Sequence, residues 1–186
     1  MTEQSSLVRL QAEYDVELDW RGFEIHPEVP PGGTALENLF PGRSRVMRAH
    51  VEQVARSFGI TQMKAPERIN NSRRAIAVAE WARDQGKLLA FRDAAMEAYW
   101  YRGADLEDAD VLAKLADHAG LPTEGAREAM DSPKYRARVE ALAAEGQAAG
   151  VRGTPTVFIG NVRVVGCQPY EAFAEAARRA GARPRS

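Results

Sequence analysis

The chain has 186 residues, of which 45% are apolar, and 25 Lys and Arg against 26 Asp and Glu. This length suits one domain with a substantial core, and a net charge of −1 gives no long-range attraction to nucleic acid or anionic lipid. The single cysteine excludes an internal disulfide framework, a multi-cysteine zinc site and a self-contained C-x-x-C pair.

The sequence contains no pattern that predicts export or membrane insertion. Its N-terminus is polar and has neither an apolar signal region nor a cleavage site. No run approaches the roughly 18 apolar residues that a membrane-spanning helix needs. We therefore expect a cytoplasmic protein with no membrane partner and no nucleic-acid partner.

The N-terminal region predicts a helix, a strand and a long loop, in that order. Residues 4–13 place Leu7, Val8 and Leu10 on one side of a short amphipathic helix. Residues 16–25 alternate apolar and polar side chains, which predicts a strand that bends or bulges at Gly22. The stretch that follows, H-P-E-V-P-P-G-G-T and then Pro-Gly at 41–42, predicts a structured loop.

The middle of the chain, residues 43–149, has a largely helical periodicity. Apolar residues every four positions predict a first helix that Gly59 closes: Val46, His50, Val54 and Phe58. Asn71 or Ser72 is expected to cap the next helix. Four later helices are predicted, each with a set of inward residues. The first two sets are Ala75, Ile76, Ala79 and Ala82, and Leu88, Phe91, Ala95 and Tyr99. A helix starting at Asp105 has Leu112, Leu115, Ala116 and Ala119 inward, and a helix starting at Pro133 has Tyr135, Val139, Leu142 and Ala143 inward.

The C-terminal region changes to a period of two. Two short β-rich runs, 156–159 and 162–165, flank the turn residues Gly160-Asn161, and this pattern predicts a hairpin. Pro169 then opens a last helix. The order of helix, strand, helical block, hairpin and helix indicates an α/β fold with a helical insertion.

Several segments together resemble the DsbA-like thioredoxin-fold family of the FrnE type. They are G-V-R-G-T-P-T-V-F-I-G at 150–160, W-R-G-F-E-I-H-P at 20–27, the helical block, and V-V-G-C-Q-P-Y-E-A-F at 164–173. Relatives of this group include 2-hydroxychromene-2-carboxylate isomerases and kappa-class glutathione transferases. The resemblance covers nearly the whole chain, from about Leu7 to Ala180.

The resemblance implies a thioredoxin-like sheet of the DsbA type with a large helical insertion. Residues 1–42 and 150–186 would form a partial thioredoxin-like core and residues 43–149 the insertion, within one compact domain. It further implies that Pro155 is a cis proline, and that Thr154 exposes its backbone N–H and C=O to an extended thiol substrate. The implied partner is a thiol-containing protein or small molecule, without a cofactor, and a homodimer is compatible with the pattern.

The resemblance also shows what this sequence lacks. The family opens with a strand and a C-x-x-C at the N-terminus of the first helix, whereas this sequence begins inside that helix. The absent part corresponds to about 15–25 residues, and its strand would lie between the segments 16–25 and 156–159. Three explanations remain open: a natural start upstream of Met1, a degenerate paralogue, or a rearranged sheet.

Other candidate residues have simpler structural interpretations beside the functional ones. Cys167, just before the last helix, is a candidate reactive thiol, although it also fits a small buried residue where relatives often carry alanine. The histidines at 26, 50 and 118 lack ligand spacing, so we expect no metal site, and His50 is predicted to be semi-buried. The arginines at 43, 45, 48, 73 and 74 would either contact a carboxylate, such as that of glutathione, or form a solvated face.

Three functional hypotheses follow. The first is a thiol–disulfide oxidoreductase relative that is inactive as a dithiol enzyme in this form, with no catalytic residue in the chain. The second is a glutathione-dependent isomerase or transferase. The third is a non-catalytic module that binds thiols or peptides beside Thr154 and Pro155.

Overall fold

The computed structural model describes residues 2–185, with the side chains from residue 6 onward. Contacts divide the chain into two compact units: a terminal unit within residues 1–21 and 147–186, and a helical unit within residues 22–146. The division at 42 and 150 that the family resemblance implies remains a prediction.

The described residues form nine helices and four strands, numbered in chain order. The helices are α1 (Thr2–Glu13), α2 (Leu36–Leu39), α3 (Ser44–Ser57), α4 (Arg73–Asp84), α5 (Leu88–Arg102), α6 (Ala109–His118), α7 (Thr123–Asp131), α8 (Pro133–Ala148) and α9 (Tyr170–Arg179). The strands are β1 (Thr34–Ala35), β2 (Arg68–Ile69), β3 (Thr156–Ile159) and β4 (Val162–Val165).

In the terminal unit, α1, α9 and the β3–β4 hairpin enclose one apolar core. Phe173 of α9 is 0% exposed, and it packs with the buried Leu7, Leu10 and Tyr14. The predicted hairpin and the predicted last helix are both confirmed. The first helix is confirmed as well, but Val8 is 53% exposed and does not share the buried side of Leu7 and Leu10.

The strand predicted over residues 16–25 is wrong. In the described chain this segment forms neither helix nor strand, and only Tyr14 before it forms an isolated bridge, to Pro184. Burial still alternates along it, because Val16, Leu18 and Trp20 pack on the core of the terminal unit while the residues between them are exposed. An alternating sequence selects the face that meets the core, whereas a strand also needs a neighbouring backbone to pair with.

In the helical unit, the buried face of α4 packs against α5, α6 and α7. The most buried residues of this core include Val78 and Ala82 of α4, Phe91 of α5 and Leu112 of α6. The predicted helices are confirmed in outline, and α7 was not predicted. Of the two predicted capping residues, Ser72 directly precedes α4 but makes no side-chain cap hydrogen bond. Asn71 Oδ1 instead accepts a hydrogen bond from the N–H of Arg73, the first residue of α4, at 3.1 Å.

Three details of the helical unit correct the predictions. On α3 the predicted stripe is not buried: Val46 is 68% exposed, His50 is exposed, and Ala55 is the buried residue. The reason is geometric, since a four-residue step turns about 40° further than one helical turn, so such a stripe drifts around the helix.

Helix α6 begins at Ala109, because Asp108 and not Asp105 accepts the N-terminal hydrogen bonds. The loop predicted after residue 26 contains β1, paired with β2, and the one-turn helix α2.

Asp84, at the end of α4, joins that helix to α8. Its carboxylate accepts hydrogen bonds from Lys134 Nζ at 2.6 Å, Arg138 Nη1 at 2.6 Å and the Tyr135 hydroxyl at 3.0 Å. These donors, led by Lys134, lower the pKa of Asp84 to about 2. A carboxyl whose pKa is depressed in the folded state stabilises the fold above its unfolded pKa, and that contribution is lost as the pH falls towards the folded pKa.

We therefore expect Asp84→Asn to lower the free energy of unfolding by about 1 kcal/mol at pH 7, a value reduced for the partial solvation of the carboxylate. The difference from wild type should roughly halve at pH 3, between the folded pKa of about 2 and the unfolded value of about 3.9. Urea unfolding at the two pH values measures it. A difference that does not change with pH would show that the ion pairs are not its cause.

Candidate functional site

The predicted docking residues form a turn that leads directly into β3. The Thr154–Pro155 peptide bond is cis. The C=O of Pro155 accepts a hydrogen bond from the N–H of Gly166 at 2.9 Å, and the Thr156 hydroxyl donates to the C=O of Gly153 at 2.8 Å. The first bond joins the residue before β3 to the residue after β4, so the pairing of the hairpin continues into the Thr-Pro turn.

The register of the hairpin determines which backbone groups of β3 point outward. Hydrogen-bonded pairs recur every second residue in an antiparallel ladder. Because Pro155 pairs with Gly166 in this way, the hydrogen-bonded partners along β3 are Val157 with Val164 and Ile159 with Val162. The N–H and C=O groups of Thr156 and Phe158 therefore point away from β4.

The outward edge of β3 has no partner strand among the described residues. Within residues 2–185, β3 pairs with β4 alone. Thr154 is exposed, and its backbone N–H and C=O form no hydrogen bond within the same described range. Thr154, Thr156 and Phe158 thus present one row of backbone donors and acceptors, called the β3 edge below, and such a row can pair with an added extended segment.

The two faces of the hairpin differ in character. Val157, Ile159 and Val164 pack on the core of the terminal unit. On the opposite face Phe158 is 48% exposed and Val165 is 53% exposed, and Arg163 lies directly across from Phe158. A segment added at the β3 edge would lie next to Phe158, while Arg163 lies one strand further away, on β4.

Cys167 follows Gly166 and is half-buried. The hydrogen bond from Gly166 to Pro155 brings the single cysteine to the same end of the hairpin as the Thr-Pro turn. The local sequence patterns indicate these two candidates separately, and it is the hairpin register, continued beyond both strands, that links them. Whether the thiol is reactive remains a prediction.

The other candidate residues are distributed elsewhere, and three of the five arginines form ion pairs. Arg73 Nε lies 3.1 Å from the buried Glu24 carboxylate, Arg48 binds Glu67 at 2.8 Å, and Arg74 binds Asp131 at 3.1 Å. Arg43 and Arg45 are exposed at the start of α3. These contacts explain Arg48, Arg73 and Arg74 as structural residues of the helical unit.

The described part of the chain contains neither a metal-binding cluster nor a membrane-spanning helix. Its His, Cys, Asp and Glu side chains include no group of three or more arranged to hold a metal ion. None of the described helices combines the length and the apolar character needed to cross a bilayer.

Comparison with known proteins identifies the family. The model of the DSBA-like thioredoxin domain matches residues 1–178, and the chain therefore belongs to that family. The fold class predicted from the sequence, a DsbA-type thioredoxin-like fold with a helical insertion, is confirmed.

Individual proteins are similar at low sequence identity. The Bacillus subtilis (strain 168) protein YwbO, described as uncharacterized, is 22% identical over 165 residues, which is 87% of this chain and 81% of that protein. The crystal structure of a probable DsbA oxidoreductase from Streptomyces coelicolor, SCO1869, superposes with a TM-score of 0.81 at 22% identity, covering 97% of this chain and 83% of the other. A crystal structure of a protein from Nitrosomonas europaea superposes with a TM-score of 0.61 at 20% sequence identity. The match covers 75% of this chain and 74% of the other. At these identities the likeness concerns the fold.

Proposed function

We propose that this chain is a docking member of the thiol–disulfide oxidoreductase family, which binds extended, cysteine-containing polypeptide segments along the β3 edge and does not complete a dithiol cycle. The observation that carries the proposal is the row of outward backbone groups at Thr154, Thr156 and Phe158. Membership of the DSBA-like family supports the assignment to thiol–disulfide oxidoreductases. The presence of one cysteine in 186 residues supports the incomplete dithiol cycle.

Binding at this edge relies on backbone pairing. Outward groups on alternate residues repeat about every 7 Å along a strand, which is the repeat of any extended polypeptide. A bound segment would exchange hydrogen bonds with Thr156 and Phe158 and reach Thr154 at the turn. Affinity would then depend on an extended backbone, and side chains would supply selectivity.

The single thiol limits the chemistry at the site. The Cys167 thiolate can attack one sulfur of a partner disulfide, forming a mixed disulfide and releasing the other sulfur as a thiolate. Resolving that mixed disulfide requires a second thiol, which this chain does not contain. The reaction would therefore stop at one covalent partner per chain unless an external thiol releases it.

Binding of a designed peptide tests the proposal. The probe is a fluorescein-labelled nonapeptide with a central cysteine and alternating valine and threonine, and its control carries proline at alternate positions so that it cannot pair as a strand. Fluorescence anisotropy should show saturable 1:1 binding of the first peptide and none of the second. Cys167→Ala should bind equally well, because the backbone carries the interaction. Equal binding of both peptides, or of neither, would contradict the proposal.

A further inference from the structure

A cavity of about 340 Å³ lies in the helical unit, where β1, α2, α3 and β2 meet. Its lining combines apolar residues with charged side chains of both signs: Ala35, Leu36, Glu37, Arg48, Glu67 and Arg68. Leu36 is 8% exposed and Ala35 is half-buried, so these two residues form the apolar part of the wall. A volume near the lower end of the range for ligand pockets suits a small molecule.

Two of the four charged side chains, Arg48 and Glu67, neutralise each other. Arg48 Nη1 lies 2.8 Å from Glu67 Oε1, and Arg48 Nε donates to the C=O of Ala65 at 3.0 Å. The N–H of Leu36 donates to the C=O of Glu67 at 2.8 Å. This ion pair therefore joins α3 and α2 to the segment before β2 and adds no net charge to the cavity.

The other two charged side chains, Glu37 and Arg68, keep their full charge. The Glu37 carboxylate accepts hydrogen bonds from the Ser44 hydroxyl and the N–H of Gly42, and these neutral donors, led by Ser44, lower the pKa of Glu37. Arg68 Nη2 donates to the C=O of Gly32 at 2.7 Å, which is a neutral acceptor. Among the side chains from residue 6 to residue 185, neither Glu37 nor Arg68 forms an ion pair.

We propose that this cavity binds a small zwitterion of the α-amino acid class. Its ammonium group would face Glu37, its carboxylate would accept hydrogen bonds from the unused N–H groups of Arg68, and an apolar side chain would cover Ala35 and Leu36. An ion of one sign fits less well, because an anion attracted by Arg68 would be repelled by Glu37, and a cation would meet the opposite arrangement.

Titration of the 15N-labelled protein with leucine and two derivatives tests the proposal, because amide shifts report both the affinity and the place of binding. N-acetylleucine lacks the ammonium group, and leucinamide lacks the carboxylate. At about 50 mM salt, leucine should bind saturably and at least about fivefold more tightly than either derivative. The shifted amides should fall within residues 34–69. Salt at about 0.5 M should weaken binding, since Glu37 and Arg68 are exposed.

Two variants assign the charges. Glu37→Gln should lower the affinity for leucine about fivefold and should not weaken that for N-acetylleucine, which has no ammonium group to lose. Arg68→Gln should lower the affinity for leucine and should not weaken that for leucinamide. Glu128→Gln and Arg179→Gln are the matched controls, since they alter exposed residues of α7 and α9 outside the cavity, and they should bind leucine as wild type does.

Three results would contradict this assignment. Failure of wild type to bind leucine, or equal affinity for leucine and both derivatives, would overturn the zwitterion site. Shifts confined to amides outside residues 34–69 would place the ligand elsewhere and overturn the role of the cavity. A variant that weakens leucine and its matching derivative equally would overturn the role given to Glu37 or Arg68.

Discussion

The purified protein should reduce insulin disulfides no faster than dithiothreitol alone. Turnover in a dithiol enzyme needs one thiolate to attack and a second to resolve the mixed disulfide, and this chain has one cysteine. Turbidity of precipitating insulin chains measures the rate. When dithiothreitol is left out, any reaction with insulin should stop at one mixed disulfide per chain, which mass spectrometry detects.

Two comparisons make that result interpretable. A DsbA-like protein with an intact C-x-x-C provides the positive control under the same conditions. Cys167→Ala should abolish the mixed disulfide and leave the background rate unchanged. Catalysed insulin reduction that survives Cys167→Ala would contradict the proposed limit on the chemistry of the site.

Phe158→Pro should reduce peptide binding about tenfold or more, because it removes an outward N–H and places a ring in the path of the added segment. The hairpin should persist, since that N–H does not bond to β4 and proline is tolerated on edge strands. Phe158→Ala is the matched control: it keeps the N–H and loses only the apolar contact, so its loss should be much smaller. Anisotropy with the nonapeptide gives the affinities, and circular dichroism verifies the fold.

The register makes a second comparison available. Val157 pairs with Val164 in a hydrogen-bonded position, so Val157→Pro removes an inward N–H and should disrupt the hairpin. If Phe158→Pro were the disruptive variant and Val157→Pro the tolerated one, the N–H of Phe158 would point towards β4 and that of Val157 outward. Equal binding by Phe158→Pro and Phe158→Ala would show that the bound peptide does not use the edge.

Prediction from sequence succeeded where a local pattern is sufficient. The hairpin was predictable because two β-rich runs flank Gly160-Asn161, and α9 because its apolar stripe follows Pro169. The alternation of residues 16–25 was equally clear, yet the segment forms no ladder in the described chain. An alternation of apolar and polar residues indicates which side chains are buried. Whether the segment joins a sheet depends on an adjacent strand, which the segment's own sequence does not specify.

The candidate site was only partly visible in the sequence. Thr154 and Pro155 could be selected from their position before a β-rich run, and the structure places them at the start of the β3 edge. The outward orientation of Thr156 and Phe158 depends on the hydrogen bond between Gly166 and Pro155, which lies outside both predicted strands. The hydrogen bond from the Arg163 guanidinium to the C=O of Gly150 joins two positions that no local spacing relates.

Amide hydrogen exchange of the 15N-labelled protein tests the central claim, that the β3 edge is open and binds extended polypeptide. In the free protein the amides of Thr154, Thr156 and Phe158 should exchange quickly, while those of Val157 and Ile159, which bond to β4, exchange slowly. Saturating nonapeptide should slow exchange at Thr156 and Phe158 and leave Val157 and Ile159 unchanged. Protection of Thr156 and Phe158 in the free protein, or exchange there that the bound peptide does not alter, would contradict the claim.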